Sequence, residues 1–431
     1  MDQAIRERLT SLRRDLHRHP EPAWCEIYTT DRIIAALEDV EGVEYFLGDE
    51  VISADHRMGV PSRAELEDWE DRAVDVGVRE DVLEATEGGF TGAIAVLDRG
   101  DGPTIGFRVD IDALRIPESQ AGSHLPAAEE FRSEHEGVMH ACGHDAHVAI
   151  GIGVLEAVAA SDFRGTFKVF FQPAEEVVGG GKAMAESGHL DDVEYLFATH
   201  VGLDHPTGEI VAGIDDFLAV SHFDVAFEGE PAHAGAHPET GRNAVQAMAT
   251  AIQNLYAIPR HDGGATRVNA GIVEGGSATN IVPESATIEG EVRGQTTELM
   301  EYMRERADRI LQAAADMHEC EVAIDTVGEA PSAKSDQELV DIVYEVASTH
   351  SDVDSPVERD SLGGSEDATF LMQAVQERGG LATYVNIGTD HPTGHHTATF
   401  DVDEDSLPIG VEVLSDAILT IAERDPLSKN Q

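Results

Sequence analysis

Apolar residues recur at helical spacing near the start of the chain, at Ile5, Leu9, Leu12 and Leu16, which predicts a helix over residues 3–18. Pro20 and Pro22 then end it. A mostly acidic stretch at 62–86 is also predicted helical. Beyond it the pattern changes. Short apolar runs at 93–97, 104–109 and 167–171 read as strands, with a helix from 145 to 159 between the last two. Such alternation predicts an α/β layer on a largely buried sheet.

Residues 215–328 follow another rhythm. Strand-like 219–227 leads to a helix near 243–257, strands at 267–273 and 286–293, a strong helix at 298–317 and a last strand at 321–327. That order is βαββαβ, the split ferredoxin-like motif, which folds as its own small domain. Helix and strand resume from 338 onward. The expectation is a large α/β domain formed by 1–214 and 329–431, with 215–328 inserted. A chain of 431 residues, 41% of them hydrophobic, has material for two such cores.

Charge narrows the partners. With 83 acidic and 29 basic residues the formal net charge is −54, which excludes nucleic acid and anionic membrane as natural partners. The acids lie between regular apolar runs, so the chain reads as folded and adapted to molar salt, where the Debye length shrinks to about 3 Å. Folded stability is therefore expected to rise steeply with salt. Equal unfolding midpoints with and without molar KCl would contradict this. The charged, amphipathic N-terminus does not resemble a signal peptide, and no later segment offers a long uncharged apolar run, so a cytoplasmic location is expected. Cys25, Cys142 and Cys320 are odd in number and far apart, which speaks against a disulfide framework.

Four stretches carry candidate chemistry. In the first, His140-Ala141-Cys142-Gly143-His144-Asp145, Cys142 and His144 stand two apart on what reads as extended backbone, so both face one site, and Asp145 is placed to cap the following helix. In the second, the strand at 167–171 ends in Glu175-Glu176, where adjacent side chains diverge; one can hold a metal and the other a water. The third is a buried strand running into His200. The fourth crowds His391, His395 and His396 into a polar loop, and spacing does not choose among them. Thiolate, imidazole and carboxylate together suit a borderline ion such as Zn²⁺ or Mn²⁺. Gly179-Gly180-Gly181-Lys182 lacks the spacing of a phosphate loop and reads as a turn.

The succession RVDIDAL (108–114), MHACGHD (139–145), FQPAEE (171–176), THVG (199–202), AHAG (232–235), SATNIVPESATIEGEVR (277–293), GSEDA (364–368) and GHHTATFDVDE (394–404) resembles the aminoacylase and carboxypeptidase family of two-metal peptidases. It is most similar to the amidohydrolase branch, and the extra segment at 49–87 is similar to that of its aminobenzoyl-glutamate hydrolases, which pair homologous subunits. The resemblance implies an N-acyl or N-aroyl amino acid as substrate, p-aminobenzoyl-glutamate among the candidates. A general aminoacylase or dipeptidase is the alternative, and a non-catalytic subunit would show a damaged ligand or base.

The resemblance implies two divalent ions per subunit, with Cys142 bridging and His144, Glu176, His200 and His396 as further ligands. It implies Glu175 as general base and Asp110 as a residue that orients a ligand. For the inserted domain it implies a lid and dimerisation role, with His233 stabilising the oxyanion and Asn280 and Arg293 contacting the substrate carboxylate. The assembly would be a homodimer or a hetero-oligomer with a homologous subunit. His17, His19 and Glu26 read as the end of the first helix and its surroundings, Ser365 to Asp367 as a helix cap, and Cys25 and Cys320 as core residues.

Overall fold

The computed structural model describes residues 1–423. Among these the chain forms two compact units: Met1–Asp215 with Ala333–Leu362 and Asp367 onward, and Asp216–Ser332 with Gly363–Glu366.

The first unit is built on an eight-stranded mixed sheet in the order Val43–Leu47, Ala93–Asp98, Thr166–Gln172, Thr104–Asp110, Tyr195–Val201, Leu381–Ile387, Glu209–Val211 and Ser355–Val357. The four middle strands, from Thr166–Gln172 to Leu381–Ile387, run parallel, and antiparallel neighbours flank them on both sides. These four strands are buried almost throughout, as in a sheet covered on both faces. Parallel alignment brings their carboxyl ends to one edge of the sheet, the place where open α/β sheets bind ligands.

The helix His144–Ala159 is apolar on nearly every side and correspondingly buried. It lies close on the sheet at Gly151, where a Cβ would meet Phe171 and Val109 at 3.0 and 3.1 Å. Its first turn differs from the sequence expectation: Asp145 does not cap the helix. Gly143 holds the cap position, and Asp145 instead forms an ion pair with buried Arg13 (Nε to Oδ2, 2.8 Å) and pairs with His17 Nδ1 at 2.8 Å. A full charge so placed is held by partners from the first helix, Gln3–Arg18, which a local reading does not see.

The second unit is an antiparallel four-stranded sheet, ordered Glu321–Ala330, Ala219–Glu228, Ser285–Gly294, Thr266–Gly275. With helices Ala244–Leu255 and Thr297–Met317 the chain order is βαββαβ. Phe223, Val225 and Phe227 alternate inward along one strand and share a core with Met303 and Leu311 of the second helix. Asn243 and Thr296 cap the two helices through their side chains. No helix among the described residues is long and apolar enough to cross a membrane.

Candidate active site

Three of the four parallel strands, Thr104–Asp110, Thr166–Gln172 and Tyr195–Val201, deliver a candidate group at or just beyond their carboxyl ends. Thr104–Asp110 leads to Asp110 and, two residues on, Asp112. Asp112 is fully buried and organises its surroundings: Oδ1 stands 3.3 Å from His144 Nδ1 and accepts the Glu175 N–H (3.1 Å), while Oδ2 accepts the Glu176 N–H (3.0 Å). One carboxylate thus orients an imidazole and both glutamates. Asp110 Oδ2 is gripped by Arg108 Nη1 at 2.8 Å, and its Oδ1 bonds to His147 Nδ1. Burial alone would raise the Asp110 carboxyl, but His144, His147 and Arg108 hold it well below the usual carboxylate range.

Cys142 and His144 converge by a different route from the expected one. The backbone between them is not extended: Gly143 has φ +90°, and the helix begins at His144. A Cβ at Gly143 would stand 2.5 Å from Val201 Cγ2, so both the left-handed turn and the close approach demand glycine.

Glu175 and Glu176 likewise do not diverge. They sit on a turn after the strand, entered through Ala174 at φ +57°. Buried Glu26 holds this turn, accepting the Ala174 N–H (2.8 Å) and the Thr91 hydroxyl (2.5 Å). As a result Glu176 Oε1 and Glu175 Oε2 both approach His144 Nε2, at 3.8 and 3.9 Å. The turn is anchored again by Asp367, fully buried, which accepts from the Gly180 and Gly181 N–H groups (3.1 and 2.7 Å), from Gln172 Nε2 (2.6 Å) and from Arg108 Nη2 (3.3 Å). Asp367 occupies the cap position of helix Ala368–Glu377 but makes no side-chain cap bond to it.

His200 Nδ1 donates to the Val201 carbonyl at 2.7 Å, which leaves Nε2 with its lone pair 3.4 Å from Cys142 Sγ. Burial, with His147 and His395 nearby, keeps this ring neutral, the form that binds metal. Of the three histidines near the C-terminus, His396 places Nε2 3.4 Å from Glu176 Oε2, with its backbone at φ +60°. His395 bonds the Val201 carbonyl instead, and His391 the Thr393 carbonyl.

Groups of donor atoms with all members within 4.8 Å of one another include Asp110–His144–His147, His144–Glu175–Glu176 and the pair Cys142–His144–His200 and Cys142–Glu176–His396. Cys142 is common to the last two. His144 Nε2 is buried and makes no hydrogen bond, although Asp110 Oδ1 is only 3.6 Å away. Within the two groups that share Cys142, Cys142 Sγ–His200 Nε2 and Glu176 Oε2–His396 Nε2 are each 3.4 Å apart, the latter too long for a good hydrogen bond. They match atoms sharing one ion, which at about 2.1 Å from each in tetrahedral geometry lie about 3.4 Å apart. Burial opposes charge on His144, yet Asp110, Asp112 and Glu176 raise it to about 10, so the surroundings favour positive charge at this point. The residues fit divalent cations of borderline softness.

In the second unit, His233 and Asn280 are neighbours: the strand at His233 bridges Ile281, and the Ala234 N–H donates to the Asn280 carbonyl at 3.0 Å. His233 Nδ1 accepts the Gly235 and Ala236 N–H groups (3.1 and 3.2 Å), which puts the ring proton on Nε2, as a donor. Arg293 forms a bidentate pair with Glu291 (2.9 Å for both bonds), a carboxylate already in its fork.

The sequence reading gave Asp112 no role and placed Glu26 only in the surroundings of the first helix. Asp112 carried a usable signal: it stands two residues after Asp110 at the end of a buried strand, on the same side by strand periodicity. Glu26 carried none, since its partners lie at Thr91 and Ala174. Asp112→Ala is expected to weaken divalent-metal affinity about 10–100-fold while the chain stays folded, measured by metal titration against a chelator. Unchanged affinity would refute the orienting role.

Residues 106–420 match peptidase family M20/M25/M40. The chain is 42% identical to the indole-3-acetyl-aspartic acid hydrolase of Enterobacter agglomerans, over 94% of each chain. It is 41% identical to one of the subunits of p-aminobenzoyl-glutamate hydrolase from Escherichia coli K12, over 96% of this chain and 95% of that one. The crystal structure of the aminobenzoyl-glutamate utilization protein from Klebsiella pneumoniae superposes with a TM-score of 0.84 at 37% identity, covering 98% of both chains.

Proposed function

The chain belongs to peptidase family M20/M25/M40 as a metallo-amidohydrolase, and we propose that it hydrolyses the amide joining an aromatic acyl group to an acidic amino acid. Both relatives are named for such substrates: indole-3-acetyl-aspartate in one, p-aminobenzoyl-glutamate in the other. The observation that carries the reading is the pair of donor groups sharing Cys142, with the Glu175 carboxylate beside them.

In this reading Cys142, His144, Glu176, His200 and His396 hold two divalent ions, zinc or manganese. Bound there, such ions supply Lewis acidity toward the scissile carbonyl and lower the pKa of water. Glu175 takes the proton of the attacking water and delivers it to the leaving amine nitrogen, which then departs with the free amino acid. Asp112 keeps His144 and both glutamates in register throughout. His233 is assigned to the oxyanion, and Asn280 and Arg293 to the carboxylate of the amino acid, on the family resemblance. Arg293 would exchange Glu291 for that carboxylate. The working assembly is a dimer of this chain or a complex with a homologous partner, a reading supported by the Escherichia coli relative, which is itself one subunit of its hydrolase.

The test is turnover by protein loaded with Mn²⁺, Co²⁺ or Zn²⁺ in molar salt, on a panel of N-acyl and N-aroyl aspartates and glutamates. Fastest cleavage of the aroyl members is expected. Release of no amino acid from any substrate under any metal would sink the reading.

A further inference from the structure

Two site segments run directly on into the wall of a further cavity in the first unit. Asp112 is followed by Ala113, Leu114 and Arg115, and Glu176 by Val177. The cavity measures about 390 Å³ and its lining includes Glu176 itself, so it opens beside the donor cluster. Pro22, Pro61, Leu114 and Val177 make it largely apolar, and apart from Glu176 its charged groups are Glu65 and Arg115. Those two are paired with each other. The volume falls within the roughly 300–1,000 Å³ of small-molecule sites.

Gly59, Pro61 and Glu65 come from the segment 49–87. A larger space of about 970 Å³ is also bordered by this segment, but it is rimmed by Glu50, Glu67, Glu70, Asp81 and Glu84 and contains none of the site residues.

Resting on the amidohydrolase reading above, we propose that the smaller cavity receives the acyl half of the substrate, a flat aromatic group bearing an N–H donor, and that Glu65 accepts from that N–H. A carbonyl placed at the donor cluster puts its acyl substituent beside Glu176, in this space. The apolar walls suit a ring face and leave a strongly hydrated acyl group without partners. Glu65 is the feature a plain hydrocarbon site would not carry. Its carboxylate offers about four lone-pair sites, of which Arg115 leaves some for a donor on the ring. An aniline nitrogen and an indole nitrogen both supply such a donor. Segment 49–87 thereby acquires a purpose, closing the specificity pocket and bringing the carboxylate to it.

The experiment compares kcat/KM of the metal-loaded full chain for N-acetyl-, benzoyl- and p-aminobenzoyl-glutamate. Leu114→Trp and Val177→Trp, made separately to fill the cavity, should lower the aroyl substrates relative to N-acetyl-glutamate by about tenfold or more. Turnover of N-acetyl-glutamate by either variant also certifies its fold. Glu65→Ala should lower p-aminobenzoyl-glutamate relative to benzoyl-glutamate by about tenfold. Unchanged aroyl-to-acetyl ratios in both tryptophan variants overturn the pocket, and an unchanged Glu65→Ala ratio overturns the N–H contact. If the wild type cleaves nothing, binding of p-aminobenzoyl-glutamate by calorimetry separates the two ideas. Binding that both tryptophan variants abolish upholds the pocket while the hydrolase reading falls, and absent binding overturns the pocket as well.

Discussion

Glu175→Gln is expected to cut kcat by about 10²–10⁴-fold while metal content and unfolding midpoint stay at wild-type values. The substitution keeps the size of the side chain and the backbone N–H that Asp112 holds at 3.1 Å, so the turn carrying Glu176 is undisturbed. What it removes is a group able to take a proton from water and return it to the amine. The experiment pairs steady-state kinetics with metal analysis of the same preparation. If turnover falls only because metal is lost, Glu175 is a ligand and the base lies elsewhere. If turnover is unchanged, the assignment of roles within the Glu175–Glu176 pair is wrong.

Asp367→Ala should be the most damaging single change to stability in the first unit, about 3–5 kcal/mol. It removes the acceptor of the buried Gly181 N–H and one of the acceptors of the Gly180 N–H, of the Gln172 amide and of buried Arg108. Water would have to enter a fully buried place to replace it. Urea unfolding in molar salt measures the loss, and a change below about 1 kcal/mol would show that the network rearranges around Arg108 and Asp110. Asp367→Asn should fall between the two, since it retains an acceptor oxygen but not the charge.

The layer order was legible from apolar periodicity because its causes are local. Short strands rich in apolar residues and the stripe of the first helix announce themselves, and the βαββαβ rhythm of 219–330 needs no partner to be read. Cys142, His144, Glu176 and His200 could be proposed as donors for a related reason, since each lies near a strand end or a helix start, whereas His396 sits in a loop and was chosen over His391 and His395 only through the resemblance. Backbone direction was not legible. Gly143 reads as a neutral spacer until Val201 is seen against it, and Ala174 carries no sign of its positive φ. Side-chain assignments that depend on distant partners were the least accessible. Asp145 and Asp367 both look like helix caps in sequence, and both turn away, Asp145 to Arg13 and His17 and Asp367 to Arg108 and backbone N–H groups far along the chain. Local rules describe what a residue does when nothing better is near; in a buried site something better usually is.

The four residues Gly363–Glu366 belong to the second unit although they follow a long return to the first. Gly364 accepts the Leu218 N–H at 2.7 Å and Ser365 meets Arg293 at 3.4 Å, just before the chain reaches Asp367. The inserted unit is therefore not a cassette. Cutting out 216–332 and rejoining the ends would leave a short orphaned loop directly upstream of the residue that anchors the glutamate turn, so gene fusion, domain grafting and recombination have no clean seam here.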